Sequence, residues 1–470
     1  MRCIRLHFDP TNWNGIKNHL SFVNSIFAKF IAFLEKAGVG YCVLGDARAY
    51  PARIMSDVDF TFDSNSLANV DRLLIEFCEQ NRVFLIERRR DEPEAYLYTI
   101  AWYDMQGMLC WFRPDICGDY FRNGRRLSAS SSFPFRRERA RGDDGGARDF
   151  FVPSPEQEFQ YYLVKKIAKE ALSEAQGAHL SEEWAKSPEA CFAQTCGMFP
   201  ERERALIKTA AETNCWGGIQ VSIAHMKRVL FKKLDWSARA MVGKLRCRIR
   251  SVCQPHGFFM ALMGPDGSGK SSVIAGATRE LAPFFPDILC FHLRPQLGCP
   301  VSDVTVIDPH ASENRRFFMS TVKLCYWLFD YIVGYMVKIL PFLLRSRLVV
   351  FDRYFYDLLV DPKRYRYGGS MKWVRACFHL VPTPDLVLML DGNAGIFQGR
   401  KREVSFSETE RQIGQYRALN LALDRAEIID ASQPLEVVVR SVLLSVFGAM
   451  MQRVLRRVRK KTFCLNRRKY

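Results

Sequence analysis

The stretch GPDGSGKSS, residues 264–272, constrains this chain more than any other part of its sequence, and it follows directly on the apolar run GFFMALM. Glycines let a backbone curl until its N–H groups face inward around a phosphate, where any Cβ would collide. The apolar run predicts a buried strand, and the residues from Lys270 onward predict a helix whose N-terminus favours an anion. A strand, a glycine-rich turn and a helix in this order favour a phosphate-binding loop over a chance turn.

The spacing Gly-x4-Gly-Lys-Ser is complete in this stretch and makes it a P-loop. It predicts that Lys270 contacts the β- and γ-phosphates of ATP and that the Ser271 hydroxyl binds Mg²⁺. The predicted cofactors are therefore ATP and Mg²⁺. The residues predicted to hold the nucleotide are Gly264, Asp266, Gly267, Ser268, Gly269, Lys270, Ser271 and Ser272.

Strand and helix patterns alternate after Pro255, which predicts βαβ units and a parallel sheet. The predicted strands are GFFMALMG, DILCFHL, RLVVFDR, PDLVLMLDG and AEIIDAS. Continuous apolar runs such as LVVF and LVLML are typical of strands buried on both faces. The predicted fold class of this part is a doubly wound α/β sheet with helices on both faces.

A chain of 470 residues is too long for one hydrophobic core, so several domains are expected. The expected division is an α+β domain with an Arg- and Ser-rich loop over 1–150, a mostly helical segment over 151–254, the P-loop domain over 255–450 and a basic tail over 451–470. The loop covers residues 122–148, and its composition predicts a mobile loop or linker, with an anion-binding arm as the alternative.

Two groups of charged residues follow the P-loop. Asp352 and Arg353 end the predicted strand RLVVFDR, at the sheet edge where ligands collect. Asp352 is a candidate to hold Mg²⁺ through water and Arg353 to bind an acceptor phosphate; the alternative is a structural ion pair. Arg400 and Lys401, with Arg402, form a candidate lid over the transferring phosphoryl group, and the alternative is a solvated basic loop.

The motifs, taken in order, resemble the thymidylate kinase family of P-loop nucleoside monophosphate kinases over about residues 257–447. The resemblance rests on GPDGSGKSS, DRY at 352–354, PDLVLMLDG, GRKRE, QIGQYRAL and IIDASQPLEVVV. It implies a kinase of nucleotide biosynthesis that moves the ATP γ-phosphate to a nucleoside monophosphate, most simply dTMP, and it implies a homodimer. It also implies that Asp266 approaches the acceptor's sugar, that Arg353 binds its phosphate and that Arg400 belongs to the lid.

The departures from the family pattern lie on the acceptor side. Asp357 stands where the family has Ser, and KLCYWLFDYIVGYMVKIL lacks the Arg and Gln that read thymine in the family. Two other functions therefore stay open. One is a kinase for a non-nucleotide acceptor, such as a sugar or lipid-linked phosphate, and the other is an ATP-gated regulatory switch.

The first domain carries a second candidate site. Asp57 and Asp59 lie two apart in a predicted strand, so both side chains leave the same face and can share a divalent metal. With the turn at Gly45 they resemble the metal-binding signature of the nucleotidyltransferase fold, in which Asp115 is the candidate third carboxylate. Asp46 stands where that fold has Gly or Ser. The alternative is an acidic strand edge at the surface.

Composition limits the partners and the location. A net charge of +18 and a pI of about 9.3 favour acidic partners. ATP and a phosphorylated small molecule are the expected ones, and nucleic acid is not expected because no nucleic-acid motif is present. The 15 cysteines form no Cys-x-x-Cys pair, which predicts reduced cysteines in a cytoplasmic protein.

Two segments bear on contact with a membrane. Residues 317–344 carry Lys323, Asp330 and Lys338 on one helical face, which favours a helix packed on the sheet over membrane contact. From Gln452 onward the sequence has nine Lys or Arg and no acidic residue. A solvated tail is expected there, with peripheral binding to the inner face of an anionic membrane as the alternative.

Overall fold

The parallel sheet expected after Pro255 is present in the computed structural model of the chain, which describes residues 5–6, 16–52, 54, 57–142, 146–234, 236–297, 316–401 and 404–466. The chain divides into two compact units. The C-terminal unit spans Ser251–Arg453 and includes the short strand Arg5–Leu6. The N-terminal unit spans Trp13–Arg250 and includes the chain from Val454 onward.

The described residues form the following elements in chain order. The strands are β1 Arg5–Leu6, β2 Tyr41–Leu44, β3 Val58–Phe62, β4 Phe84–Glu92, β5 Ala95–Tyr103, β6 Leu109–Phe112, β7 Pro114–Cys117, β8 Tyr120–Arg122, β9 Arg125–Ser128, β10 Glu138–Arg141, β11 Ala147–Val152, β12 Phe258–Met263, β13 Ile288–His292, β14 Leu348–Asp352, β15 Leu386–Asp391 and β16 Ala426–Asp430. The helices are α1 Ile16–Lys36, α2 Ser64–Ala68, α3 Val70–Asn81, α4 Pro155–Lys169, α5 Glu174–Lys186, α6 Pro188–Gln194, α7 Glu201–Thr213, α8 Gly217–Val221, α9 Ile223–Lys233, α10 Ala238–Cys253, α11 Lys270–Leu281, α12 Phe317–Gly334, α13 Leu340–Leu344, α14 Asp357–Val360, α15 Met371–Cys377, α16 Ala394–Arg400, α17 Phe406–Ala422 and α18 Leu435–Asn466.

The sheet of the C-terminal unit has the order β1-β13-β14-β12-β15-β16. Strand β1 pairs antiparallel with β13, and all other neighbours are parallel. Every residue of β12 and of β14 is buried, as expected for strands covered on both faces. Because the chain adds β13 and β14 on one side of β12 and later adds β15 and β16 on the other, the carboxyl end of β12 lies at a topological switch point. Ligands bind at this point in open α/β sheets.

The apolar segment 317–344 is helical throughout. Helix α12 continues through a π-helical turn, Tyr335–Ile339, into α13, and its side chains Leu324, Trp327 and Tyr331 are buried in the core of the C-terminal unit. Within the described residues, Phe317–Leu344 and Leu435–Arg459 are long and apolar enough to cross a membrane. The core helix of a soluble protein has the same length and composition.

The N-terminal unit combines a mixed sheet with a helical cluster. Its sheet has the order β2-β3-β7-β5-β4, and β6 pairs with β5. Most of the sequence from 151 to 254 is helical, from α4 to α10, and buried apolar side chains such as Phe159, Leu163 and Trp184 form its core. The mixed strands and helices expected at the start of the chain, and the helices expected after them, are both present.

Two expectations outside the sheets are wrong. Within the described part of residues 122–148 there is no mobile linker: β9, a 3₁₀ turn over Ser130–Arg136 and β10 lie there. Leu127 and Phe133 are buried, which stabilises this segment. The described start of the basic C-terminus is not a solvated tail, since it belongs to helix α18 and Val454 is buried in the core of the N-terminal unit.

Candidate active site

The P-loop runs from the carboxyl end of β12 to the first turn of α11. Gly267 and Gly269 have φ angles of +79° and +82°, in the left-handed region that favours glycine. A Cβ added at Gly267 would lie 2.2 Å from the carbonyl oxygen of Phe397 in α16. The backbone therefore has the curvature that the glycine pattern predicts, and α16 approaches it closely at Gly267.

Lys270 begins α11 and its residue surface is only 8% exposed. Its Nζ donates to the carbonyl oxygens of Gly264 and Pro265 at 2.9 and 2.8 Å. Burial, and then the neighbouring Arg353 charge, lower the pKa of Lys270 to about 8. A phosphate in the loop would stabilise the ammonium against both effects, so Lys270 fits an anionic ligand.

The predicted Mg²⁺ ligands come from two neighbouring elements. Ser271 and Ser272 are exposed at the start of α11, whereas Ser268 is buried and donates to the Pro265 carbonyl at 2.7 Å. Asp352 ends β14 and pairs in register with Leu262 of β12. The structure thus brings Asp352 to the base of the P-loop, as the sequence predicts for a residue at this strand end.

The Asp352 carboxylate has capacity for a cation. Its Oδ1 is buried and has no hydrogen-bond partner among the described residues, and its Oδ2 lies 3.4 Å from His292 Nδ1. Burial raises the pKa of Asp352, but the hydrogen bond from His292 and the Lys270 charge hold it below its usual value. A charged carboxylate with an unpaired oxygen, close enough to the P-loop to interact with Lys270, is a ligand that fits hydrated Mg²⁺.

Arg353 is engaged in an internal ion-pair network. The residue is 4% exposed, and its guanidinium donates from Nη1 to Asp357 Oδ2 at 2.8 Å and from Nη2 to Asp266 Oδ1 at 2.5 Å. Asp357 is fully buried and also accepts hydrogen bonds from the hydroxyls of Tyr365 and Tyr416. The structural ion pair left open by the sequence is therefore present.

A second arginine, Arg364, completes this network; the sequence shows it only as one of several cations near Arg353. Arg364 donates from Nη1 to Asp266 Oδ2, the oxygen that Arg353 does not contact. Asp266, in the P-loop, therefore lies between two guanidinium groups. The spacing of Arg353 and Asp357, four residues apart, predicts a local ion pair, but no sequence signal places Arg364 against the P-loop.

A cavity of about 370 Å³ opens at the carboxyl end of β13. Its lining residues are His292, Leu293, Arg294, Gln296, Lys323, Tyr326 and Trp327. Arg294 pairs with the buried Asp330 at 3.2 Å, and its guanidinium lies 5.2 and 5.4 Å from the ring centroids of Tyr326 and Trp327. Cationic and aromatic side chains therefore line the same cavity, which suits a ligand with both an anionic and a planar group.

The candidate lid residues lie at the end of α16. Arg400 is the last residue of this helix, and its Nη1 donates to the Ala431 carbonyl at 2.9 Å. Lys401 follows it, and its backbone N–H donates to the Phe397 carbonyl. Arg402 lies outside the described residues. Helix α16 lies against the P-loop at Gly267. The lid role of Arg400 and Lys401 stays a prediction.

The three predicted metal ligands of the N-terminal unit lie at one sheet position. Asp59 of β3 pairs in register with Asp115 of the parallel strand β7, and Asp57 directly precedes β3. Lys165 of α4 donates to Asp59 at 2.6 Å, and Arg113 lies 4.0 Å from Asp57. The strand placement that the sequence predicts for the aspartates is present, with two cations beside them.

Burial and neighbouring carboxylates raise the pKa of two residues in this aspartate cluster. Burial, and then the Asp59 charge, raise the pKa of Asp115 to about 6, and burial also raises the pKa of Asp57. In the described part of the chain, no group of three His, Cys, Asp or Glu side chains is arranged to hold a metal ion. The Lys165 ammonium lies where a cation would contact Asp59, so metal binding there stays a prediction.

Comparisons with known proteins bear on part of the chain. Over 198 residues, 41% of this chain and 95% of the relative, the chain is 26% identical to a Staphylothermus marinus protein named "Probable thymidylate kinase". The crystal structure of thymidylate kinase from Ehrlichia chaffeensis matches 40% of this chain and 98% of its own, at 15% identity and a TM-score of 0.29. No family model matches the chain. The similarity to the Staphylothermus marinus protein confirms the resemblance that the sequence motifs predict: part of the chain is thymidylate kinase-like.

Proposed function

We propose that the C-terminal unit is an ATP- and Mg²⁺-dependent phosphotransferase that moves the ATP γ-phosphate to a nucleoside monophosphate, with dTMP as the first acceptor to test. The observation that carries the proposal is the buried Lys270 ammonium inside a glycine-rich loop at the switch point of a parallel sheet. The free Asp352 oxygen beside it and the similarity to a thymidylate kinase support the same function.

The proposed reaction transfers one phosphoryl group from ATP to the acceptor. An oxygen of the acceptor's phosphate bonds to the γ-phosphorus, the bond from that phosphorus to the β–γ bridging oxygen breaks, and ADP leaves. The P-loop N–H groups and Lys270 hold the β- and γ-phosphates, while Ser271 and Asp352 hold Mg²⁺. The metal supplies neutralisation of the charge on the phosphate oxygens. Arg400 and Lys401 cover the transferring group from the C-terminal end of α16.

Acceptor-dependent ADP formation tests this proposal. A kinase forms ADP rapidly only when the acceptor is present, whereas an ATP-gated switch hydrolyses ATP slowly with or without it. Lys270→Ala is expected to lower ADP formation by about a hundredfold or more, because it removes the charge beside the transferred phosphate. Lys372→Ala removes an exposed lysine of the same unit and is the matched control.

A kinase for a non-nucleotide phosphate is the second candidate. The sequence of α12 favours it, because the Arg and Gln expected to read thymine are missing from this helix. A sugar phosphate or a lipid-linked phosphate presents an anion without a pyrimidine edge. A screen of acceptors in the same assay separates this candidate from dTMP phosphorylation.

For the N-terminal unit we propose a metal-dependent site of the nucleotidyltransferase type. The register pair of Asp59 and Asp115, with Asp57 two residues away, supports it, since carboxylates on adjacent strands are ligands that divalent cations prefer. The site requires that the cation displace the Lys165 ammonium from Asp59.

A further inference from the structure

Asp266 makes an unusual contact for a P-loop residue: its carboxylate is clamped by two arginines from another part of the C-terminal unit. Arg353 contacts Oδ1 at 2.5 Å, and Arg364 contacts Oδ2. Its side chain is only 9% exposed, and Lys270 Nζ lies 4.0 Å from Oδ1. Three cations thus converge on a single carboxylate beside the nucleotide loop.

The Arg353 side chain and the Arg364 backbone are each held by a residue other than Asp266. Asp357 holds Arg353 from the opposite side at 2.8 Å. The backbone N–H of Arg364 donates to Asp361 at 3.1 Å, and Gln412 contacts the same Asp361 side chain at 3.1 Å. Removal of the Asp266 carboxylate would therefore leave the Arg353 guanidinium fixed by Asp357 and the backbone of Arg364 fixed by Asp361, so that both arginines stay beside one position.

A pair of guanidinium groups is the arrangement that binds a phosphate oxygen pair as readily as a carboxylate, because both anions accept two parallel N–H donors. The Arg364 side chain is 20% exposed and that of Arg353 only 4%, so an incoming anion reaches the pair from the Arg364 side. The position is next to the P-loop, where an acceptor phosphate must lie for transfer.

We propose that Arg353 and Arg364 together form the binding site for the acceptor's phosphate, and that the Asp266 carboxylate occupies this site until a phosphate monoester displaces it. This inference rests on the proposed phosphotransferase function and deepens it. It assigns Arg364 to substrate binding and makes Asp266 a competitor of the acceptor's anion, rather than a ligand of the acceptor's sugar. Acceptors are then selected chiefly by their phosphate.

The test is calorimetric binding of inorganic phosphate to the full chain, with the P-loop first filled by a non-hydrolysable ATP analogue and Mg²⁺. Arg364→Ala should weaken phosphate binding by on the order of tenfold or more, because it removes a charge-assisted donor pair. Asp266→Asn should strengthen phosphate binding by on the order of tenfold, because the competing charge is gone. Lys363→Ala removes an exposed charge from the same loop and should leave phosphate binding unchanged.

Each result is decisive. Unchanged phosphate binding in Arg364→Ala, or weaker binding in Asp266→Asn, overturns the inference even if the ATP analogue binds normally. Failure of the wild-type chain to bind the ATP analogue overturns the proposed function itself, and the inference with it. If Arg364→Ala does not fold, Arg364→Lys decides, since it keeps the charge but loses the paired donors and should still weaken phosphate binding.

Discussion

Arg353 Nη1 donates to Asp357 Oδ2 at 2.8 Å, and the structure buries both side chains. Burial alone would raise the pKa of Asp357, but the Arg353 charge and the hydrogen bonds from Tyr365 and Tyr416 hold it below its usual value. The carboxylate is therefore charged, and it fixes the arginine at the edge of the P-loop. The family pattern has Ser at this position, so the pair is a departure of this chain.

Loss of Asp357 should destabilise the C-terminal unit strongly. Asp357→Ala removes one of the two carboxylates that contact the buried Arg353 guanidinium. Breaking a buried ion pair in this way typically costs about 3–5 kcal/mol of unfolding free energy. Tyr365→Phe removes only one hydrogen bond and should cost about 1 kcal/mol. Denaturant unfolding of the two variants checks this order. Equal stabilities of Asp357→Ala and Tyr365→Phe would contradict it.

The glycine at 267 should be irreplaceable, whereas a glycine nearby in α16 should not be. Gly267→Ala places a Cβ 2.2 Å from the Phe397 carbonyl oxygen, at a positive φ, and should weaken ATP binding by distorting the loop. Gly399→Ala meets no atom within 4 Å and lies inside a helix, so it should stabilise by about 0.5–1 kcal/mol. Nucleotide titration and thermal unfolding of both variants measure the contrast. Normal ATP affinity in Gly267→Ala would contradict the close contact.

Nucleotide binding should take up protons near pH 8. The pKa of Lys270 is about 8 in the ligand-free protein, so the ammonium is about half protonated there, and a bound phosphate raises the pKa. Calorimetry in buffers of different ionisation heat should report an uptake of about half a proton per ADP. Lys270→Met should abolish this uptake. A binding heat that is independent of buffer in the wild type would contradict the prediction.

The same pKa shift sets a pH dependence of stability. A lysine whose pKa falls from 10.5 to about 8 on folding binds fewer protons in the folded state between these values. The unfolded state then holds more protons, so the contribution of Lys270 to stability rises as the pH rises from about 8 toward 10.5. Lys270→Met should remove this rise.

The aspartate cluster of the N-terminal unit should bind a divalent cation. Asp57→Asn with Asp59→Asn should abolish one Mn²⁺ site of the full chain and leave ATP-analogue binding unchanged, because the P-loop belongs to the other unit. Asp91→Asn, a change at an exposed aspartate of β4, is the control. If the double variant binds Mn²⁺ as the wild type does, these aspartates have a structural role only.

Local patterns allowed the parallel sheet and the P-loop to be predicted. The runs FFMALM of β12 and LVVF of β14 are apolar because both faces of these strands are buried, and the glycines mark a turn whose positive φ angles favour glycine. The neighbourhood of Asp266 could not be predicted, because Arg364 reaches it across 98 residues of chain. Contacts of this kind depend on tertiary packing and leave no periodic signal. The regular structure of the Arg- and Ser-rich segment could not be predicted for the same reason, because it depends on the burial of Phe133 in tertiary contacts.

The fate of the γ-phosphate tests the proposed function most directly. With γ-labelled ATP, Mg²⁺ and a panel of dTMP, dUMP, dCMP, dGMP and sugar phosphates, label should appear in an acceptor. Transfer should discriminate weakly among the nucleotide bases, since the phosphate is the group that is bound. Lys270→Ala should lower the transfer by about a hundredfold or more. Release of all label as inorganic phosphate, at a rate that no acceptor changes, would show that the C-terminal unit is not a kinase for these acceptors and would favour an ATP-gated switch.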